Sequence, residues 1–208
     1  MTAVTTRFWW IRHAPVINPD HILYGQSDIT ADLSDDGAFI AIAGKLPDDA
    51  VWVTTTLARA RQTAEKIARQ KSTEIEIKHH DTLREQFFGD WEGRSWDTIP
   101  QEEQTPYWSD AVNNHPPNGE SFSDVARRIA RTVNKLIKTH RGSDIIIIAH
   151  AGSIRAAISM ATQTEPRAGL SFYIAPLSLT RINAIERGAD VWWRIENVNI
   201  TVDNVSSP

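Results

Sequence analysis

The sequence predicts an α/β sandwich with a mainly parallel central sheet. Short apolar segments typical of strands alternate along the chain with segments whose apolar residues have helical spacing, and this alternation is typical of α/β folds. Residues 145–149 read Ile-Ile-Ile-Ile-Ala, which indicates a strand covered on both faces within a parallel sheet. A helical pattern follows directly after residue 150, as expected of a strand that connects to a crossover helix.

The first half of the chain is expected to contribute three strands and two helices. In chain order the segments are a strand at residues 8–11, a loop at 16–33, a helix from 34–36 to about 45, a strand at 51–53, a helix at 57–70 and an edge strand at 74–78. Pro15 disfavours helix at the residue before it, so the first strand ends there. Threonine hydroxyls at residues 54–56 are expected to cap the 57–70 helix.

The second half begins with an irregular stretch at residues 79–118 and then returns to regular patterns. Its predicted elements are a helix at about 95–104, a helix from 122 to about 136, a strand at 144–149, a helix from about 151 to 161, and a hairpin formed by 177–186 and 191–200. Ser121 and Asp124 resemble a capping box at the start of the second of these helices. The turn of the hairpin is expected at 187–190.

Composition limits the class of protein. The 208 residues suit a single domain, 1–208, with a substantial core. The formal net charge of −4 gives no basic excess for binding nucleic acid or an anionic membrane. The absence of cysteine excludes disulfides, thiolate nucleophiles and cysteine-ligated metals. The N-terminal residues show no secretory signal, so a cytoplasmic location is expected.

Two histidines follow the two clearest strands. Arg12 and His13 come directly after residues 8–11, and His150 comes directly after residues 145–149. Ligands of open α/β sheets bind outside the carboxyl ends of the strands. Both histidines are therefore expected to face one site, whereas either one alone is better explained as a structural residue of a turn.

Arg59 is expected in the first turn of the 57–70 helix. A cation is unfavourable at that end of a helix, but an anion bound there would be held by both the backbone N–H groups and the guanidinium. Arg59 is thus a candidate anion-binding residue. The alternative is a solvated arginine on the surface.

Glu85 is a candidate general acid. It precedes a stretch rich in aromatic residues and glycine, and desolvation by large rings would raise the pKa of its carboxyl and let it hold a proton near neutral pH. The alternative is a surface carboxylate paired with Arg84. Asp90 and Glu92 are nearby competitors for the same role.

These residues lie within five motifs that resemble the histidine phosphatase superfamily, the phosphoglycerate mutase-like clan. The motifs occur in the family's order over about residues 7–160, and are Arg12-His13-Ala14, residues 56–64, residues 83–93, Gly119-Glu120-Ser121 and residues 149–152. The similarity is greatest to the α-ribazole phosphatase-like branch. It implies a three-layer α/β/α sandwich of the phosphoglycerate mutase-like type with a small cap-like segment at about 86–118.

The resemblance also implies a role for each matching residue. His13 corresponds to the nucleophile that becomes a phosphohistidine, and Glu85 to the proton donor for the leaving oxygen. Arg12, Arg59 and His150 correspond to the phosphate pocket. Further substrate-binding residues expected from it are Asn18, Tyr24, Gly25 and Ala151. The alternative for the stretch at 22–28 is a plain surface loop. No metal or other cofactor is implied, because positive charge and positioning are what phosphoryl transfer requires of the protein.

One residue departs from the family's motif, and one short segment resembles a metal site. Ala14 stands where the family usually has glycine, and it would be strained if the position required a positive φ. His79-His80-Asp81 is the sequence's nearest approach to a metal-ligand cluster, but adjacent residues of a strand point to opposite faces, which favours a structural or exposed position.

The function expected from the sequence is a metal-independent phosphatase that hydrolyses a small-molecule phosphomonoester through a phosphohistidine, with α-ribazole 5'-phosphate as a candidate substrate. The alternatives are a phosphoglycerate mutase-type phosphoryl transferase, a phosphatase of protein histidines and a non-catalytic phosphate- or partner-binding module. The expected partner is a small phosphorylated metabolite, on which Trp91 or Trp96 could stack, and the terminal hairpin offers an edge for a homodimer.

Overall fold

A computed structural model gives the fold and describes residues 2–18, 20–72 and 74–201. The strands are β1 (Val4–Arg12), β2 (Val51–Thr54), β3 (Ile77–His79), β4 (Asp144–Ala149), β5 (Leu179–Arg187) and β6 (Asp190–Ile200). The α-helices are α1 (Asp36–Ala43), α2 (Ala58–Ala68), α3 (Gln101–Ser109), α4 (Phe122–Thr139), α5 (Ala151–Ala161) and α6 (Pro166–Leu170). Short 3-10 turns occupy Asp81–Leu83, Gly89–Trp91 and Trp96–Thr98.

The six strands form one sheet in the order β3-β2-β4-β1-β5-β6. The first four strands are mutually parallel, while β5 pairs antiparallel with β1 and β6 pairs antiparallel with β5. The prediction of a mainly parallel sheet with a terminal hairpin is therefore confirmed. β6 forms one edge of the sheet, and its predicted pairing in a homodimer stays a prediction.

Helices cover both faces of the sheet, because the central strands are apolar on both sides. Phe8 and Trp10 of β1 pack into a core with α4 and α5. Ile146 and Ile148 of β4 pack into a second core with α1 and α2 on the opposite face. Successive side chains of a strand alternate between faces, so an unbroken apolar run supplies both cores. The result is the three-layer α/β/α sandwich that the sequence predicts.

The longest of the described helices is α4, which begins at the predicted capping box. The Ser121 hydroxyl accepts a hydrogen bond from the Asp124 N–H, and the Asp124 carboxylate accepts one from the Ser121 N–H. This reciprocal cap satisfies two backbone donors that the first turn of a helix leaves without partners. The buried stripe of α4 includes Val125, Ile129 and Val133, which matches the spacing in the sequence.

The start of α2 differs from the prediction. The Asp28 carboxylate, from the long loop, accepts a hydrogen bond from the Ala58 N–H at the first position of the helix. The predicted threonine cap is wrong, because the Thr55 hydroxyl instead accepts from the Leu57 N–H, one residue before the helix begins. A cap supplied from 30 residues away cannot be recognised from local sequence.

The helix predicted at residues 95–104 is also shifted. Residues 96–98 form only a 3-10 turn, Pro100 is the N-cap residue, and α3 runs from Gln101 to Ser109. The proline accounts for the shift, since Ile99 before it is extended at φ −88° and ψ 124°. β3 begins three residues later than predicted but lies at the sheet edge as expected.

The segment at residues 86–118 has its own small core. Trp91 and Tyr107 pack edge to face with ring centroids 5.2 Å apart, and Ile99 is buried beside them. Trp91 is fully buried and its indole N–H donates to Glu103, so the prediction that Trp91 stacks on a substrate is wrong. Trp96 is half-buried. The role of this segment as a substrate cap stays a prediction.

Within the three described stretches of the chain, no helix combines the length and the apolar character that crossing a membrane requires.

Candidate active site

The register of the parallel strands brings the two histidines together. Arg12 lies opposite Ala149 in the β1–β4 ladder, so the next residues, His13 and His150, leave the sheet side by side. The His13 N–H donates to the Ala149 carbonyl at 2.9 Å, and the imidazole centroids are 5.1 Å apart. Both side chains are buried, at 2% and 0% exposure. The expected convergence of the two strand ends is thus present.

The imidazole of His13 is held in one tautomer. Its Nδ1 lies 2.7 Å from the Ala14 carbonyl oxygen. A carbonyl oxygen only accepts, so Nδ1 carries the hydrogen and Nε2 presents a lone pair. The Arg59 Nε–H donates to this Nε2 at 3.3 Å. The orientation leaves the Nε2 lone pair facing the guanidinium.

Ala14 is accommodated without the strain that the sequence suggested. Its φ is not positive, so the position does not require glycine. Its N–H donates to the Thr63 hydroxyl of α2 at 2.9 Å, and its methyl group is fully buried. The residue after His13 is therefore fixed to the neighbouring helix.

Both histidines are held in the neutral form. Burial lowers the pKa of His13 well below its usual range, the cations of Arg59 and Arg12 lower it further, and the hydrogen bond to Ala14 opposes them. Burial likewise lowers the pKa of His150, followed by the charge of Arg59. A neutral imidazole keeps the lone pair that a nucleophile needs.

Arg59 is fully buried in the first turn of α2. Its Nη1 donates to the Ser27 carbonyl at 2.9 Å, its Nη2 donates to the Gly25 carbonyl, and its guanidinium lies 4.9 Å from the Tyr24 ring centroid. The loop thus wraps the guanidinium, and direct contact of Tyr24 and Gly25 with substrate stays a prediction. Burial lowers the pKa of Arg59, while the Glu85 carboxylate raises it. The surface alternative for Arg59 is wrong.

Two buried polar atoms of the pocket have no hydrogen-bond partner among the described residues. They are the Arg12 Nε and the His150 Nδ1. Leaving a buried polar group unpaired costs about 1–3 kcal/mol, so a ligand that pairs with these two atoms would recover that cost. Arg12 is itself anchored by an Nη1 hydrogen bond to the Ile174 carbonyl at 2.6 Å.

Thr55 determines which nitrogen of His150 faces that pocket. The Thr55 Oγ1 lies 3.0 Å from the His150 Nε2 and also accepts from the Leu57 N–H. When the hydroxyl donates to Nε2, the ring hydrogen lies on Nδ1, which is then a donor. Thr55 was not predicted; the only signal in the sequence is its position directly after β2, the strand beside β4.

Glu85 is held at the N-terminus of α5. Its Oε2 accepts from the Gly152 N–H at 3.2 Å and its Oε1 from the Gln86 N–H at 3.0 Å. A Cβ on Gly152 would lie 2.1 Å from Oε1, so only glycine allows this approach. The alternative pairing of Glu85 with Arg84 is wrong, because Arg84 pairs with Asp81.

The two competing carboxylates have structural partners. Glu92 accepts hydrogen bonds from the Gln26 N–H, the Ser27 hydroxyl and the Phe88 N–H, and so ties the loop to the segment after Glu85. Asp90 is exposed and accepts from the Asn118 side chain. Glu85 is therefore the best candidate for proton transfer in this segment.

Asn18 and Ala151 are the remaining predicted residues. The Asn18 side chain both donates to the Ile22 carbonyl and accepts from its N–H, which closes a turn of the long loop. Ala151 is the first residue of α5, next to His150, and is half-buried. Direct contact of Asn18 and Ala151 with substrate stays a prediction.

Arg155 was not predicted from the sequence as a residue near the site, although it lies one helical turn after Ala151. It is half-buried, its Nε donates to the Phe172 carbonyl at 2.7 Å, and its charge interacts with Glu85 and Arg12. The pocket therefore has a third guanidinium nearby.

In the His79-His80-Asp81 segment, His79 is exposed and His80 is half-buried. β3 ends at His79, and Asp81 accepts from the Thr56 hydroxyl and pairs with Arg84. Across the described parts of the chain, no three His, Asp or Glu side chains are grouped so that they could hold a metal ion.

Comparison with known proteins gives related sequences and a related fold. A bifunctional protein of Mycobacterium tuberculosis is 29% identical over 154 residues, which cover 73% of this chain and 41% of that protein. A 2,3-bisphosphoglycerate-dependent phosphoglycerate mutase of Bartonella henselae is 33% identical over 111 residues, which cover 50% of this chain and 54% of the mutase. The chain thus spans about half the length of these curated relatives.

The fold matches that of solved structures over nearly the whole chain. The crystal structure of the alpha-ribazole phosphatase from Shigella flexneri superimposes with a TM-score of 0.80 at 22% identity, over 93% of this chain and 96% of that one. A protein-family model described as the histidine phosphatase superfamily (branch 1) matches residues 8–201. The chain therefore belongs to branch 1 of the histidine phosphatase superfamily.

Proposed function

We propose that the protein is a phosphatase that hydrolyses a small-molecule phosphomonoester through a phosphohistidine on His13. The observation that carries the proposal is the neutral, oriented imidazole of His13, whose Nε2 lies 3.3 Å from the Arg59 Nε in a buried cationic pocket. Such a pocket supplies a nucleophile and the charge that a phosphoryl group requires.

In the first step the His13 Nε2 attacks phosphorus, and the bond from phosphorus to the ester oxygen breaks. Arg12, Arg59 and His150 donate hydrogen bonds to the phosphoryl oxygens, on which negative charge is spread in the transition state. Glu85, held beside the pocket by Gly152, gives its proton to the leaving oxygen. The products of this step are the free alcohol, the phosphohistidine and the Glu85 carboxylate.

In the second step water removes the phosphoryl group. The Glu85 carboxylate takes a proton from the water as its oxygen attacks phosphorus, and the bond between phosphorus and Nε2 breaks. Inorganic phosphate leaves, His13 returns to its neutral form, and Glu85 is protonated again for the next turnover.

The comparisons support two candidate activities, which are hydrolysis of a phosphomonoester and transfer of its phosphoryl group to a second hydroxyl. The structural similarity to an alpha-ribazole phosphatase supports a nucleoside-like phosphomonoester such as α-ribazole 5'-phosphate. The similarity to a Bartonella mutase supports a second candidate, in which a substrate hydroxyl and not water accepts the phosphoryl group. The two activities share the residues around His13 and differ only in the acceptor.

A panel of phosphorylated metabolites tests the proposal and separates the candidates. It includes α-ribazole 5'-phosphate, and 3-phosphoglycerate with and without 2,3-bisphosphoglycerate. We expect release of inorganic phosphate from at least one monoester and loss of that activity in His13→Ala. Isomerisation of 3-phosphoglycerate without net phosphate release would favour the mutase. No turnover of any ester would support a phosphate-binding module, and full activity of His13→Ala would rule out the phosphohistidine.

A further inference from the structure

Arg128 of α4 lies outside the phosphate pocket but is bound to the segment that carries Glu85. Its Nη1 donates to the Thr82 carbonyl at 3.1 Å and to the Arg84 carbonyl at 2.6 Å, and its Nη2 donates to the Glu85 carbonyl at 2.8 Å. Its Nε and Nη2 also donate to the two carboxylate oxygens of Glu120 at 2.9 and 3.0 Å. All five N–H donors of the guanidinium are thereby used.

Glu120 holds the other side of Glu85. Its Oε2 accepts from the Phe87 N–H at 3.0 Å, and its own N–H donates to the Phe87 carbonyl at 2.8 Å. Its carbonyl accepts from the Gln86 side chain at 2.7 Å. Arg128 and Glu120 thus fix the backbone on both sides of the predicted proton donor.

Hydrogen bonds from α5 and from the long loop also hold the backbone of residues 83–85. The Ser153 hydroxyl lies 2.9 Å from the Leu83 carbonyl and 3.0 Å from the Arg84 carbonyl. The Glu85 carbonyl accepts a second hydrogen bond, from the Gln26 side chain at 2.9 Å. With four successive carbonyls bound, from 82 to 85, the position of the Glu85 carboxylate depends on partners outside its own loop.

The arrangement requires an arginine. A planar guanidinium can meet a carboxylate with two parallel N–H groups while its remaining N–H groups face backbone carbonyls, which the single ammonium of a lysine cannot reproduce. Arg128 and Glu120 are also mostly shielded, with side chains exposed by 17% and 25%. Water therefore competes less for these contacts than at a fully exposed pair.

We propose that the Arg128–Glu120 pair positions Glu85 for protonation of the leaving oxygen. The inference rests on the proposed function and assigns to this pair one step of it. Neither residue touches the phosphoryl group; both act through the backbone of residues 82–87. Their loss displaces the proton donor and leaves His13, Arg12 and Arg59 in place.

The leaving group of the substrate provides the test. The alcohol of glycerol 2-phosphate leaves as a strongly basic oxygen that needs a proton, whereas the nitrophenolate of 4-nitrophenyl phosphate leaves without one. For Arg128→Met we expect kcat/KM to fall by about 100-fold with glycerol 2-phosphate and to stay within about threefold of wild type with 4-nitrophenyl phosphate. kcat/KM is the measure because it reports the steps through departure of the leaving group.

Glu120→Gln, which changes little in volume, is expected to show the same selective loss, and Arg128→Lys is expected not to restore activity. Arg131→Met is the matched control on the same helix, since Arg131 is exposed, and it should behave as wild type. Each variant is checked by its melting temperature.

Equal losses with both substrates in Glu120→Gln, or no loss in a folded Arg128→Met, would overturn the proposal. If Arg128→Met does not fold, Glu120→Gln alone decides between a selective and an unselective loss. Wild-type protein that hydrolyses neither these two esters nor any member of the metabolite panel would instead count against the proposed function, so the two failures are distinguishable.

Discussion

Replacing Gly152 by alanine separates the position of Glu85 from the stability of the fold. The added Cβ would lie 2.1 Å from the Glu85 Oε1, and ordinary contact begins at 3.4 Å, so the carboxylate must retreat by about 1.3 Å. Oε1 is the end of a flexible side chain and can move without shifting the backbone. A displacement of about 1 Å at a reacting group costs about 100-fold in rate.

The same substitution favours the helix. Gly152 is the second residue of α5, and alanine is favoured over glycine in a helix by up to about 1 kcal/mol. We therefore expect a melting temperature equal to or above that of wild type, together with a fall of about 100-fold in kcat/KM for an alkyl phosphomonoester.

Steady-state kinetics and thermal melting of the same preparations provide the measurement. Gly44→Ala is the matched control, because a Cβ there would meet its nearest atom at 3.5 Å and the backbone is already helical. Full activity of Gly152→Ala would refute the assignment of Glu85 as proton donor. A large loss of stability would refute the claim that only the carboxylate yields.

Three further predictions concern the pocket and its supports. Arg59→Met is expected to lower kcat by about 10²–10³-fold, because it removes one hydrogen-bond donor to the transition state. The assay is hydrolysis of 4-nitrophenyl phosphate, and a wild-type rate would contradict the role of Arg59 in binding the phosphoryl group. Burial lowers the pKa of His13 and His150 in the folded protein, so below pH about 6.5 the unfolded chain binds more protons than the folded one. As the pH is lowered through this range, the free energy of unfolding should decrease by up to about 1.4 kcal/mol per pH unit for each histidine. Urea titrations at several pH values would show this, with a smaller slope in His150→Gln; equal slopes would count against it. Asp28→Ala removes the carboxylate that caps Ala58 and should cost about 1 kcal/mol by urea denaturation, whereas unchanged stability would exclude a capping role.

The central sheet and the position of the site were predictable from the sequence for a physical reason. The isoleucine run of β4 can only be buried on both faces, and parallel strands end at the same edge of a sheet. Those two facts alone bring His13 and His150 together. Arg59 follows because α2 begins at the end of β2, which is paired with β4.

The parts that the sequence did not predict depend on contacts between distant residues. The carboxylate of Asp28 caps a helix 30 residues away, and the side chain of Arg128 binds carbonyls more than 40 residues before it. Neither contact leaves a local pattern. The start of α3 is different, because Pro100 is a visible signal that the helix begins after it and not at residue 95.

Trapping the phosphorylated intermediate identifies the residue that carries the phosphoryl group during turnover. Protein quenched during turnover of 4-nitrophenyl phosphate is digested under basic conditions, which preserve phosphohistidine, and the phosphorylated peptide is identified by mass spectrometry. We expect one acid-labile phosphoryl group on His13, absent in His13→Ala and longer-lived in Glu85→Gln. Turnover with no label on His13, or with the label on another residue, would contradict it.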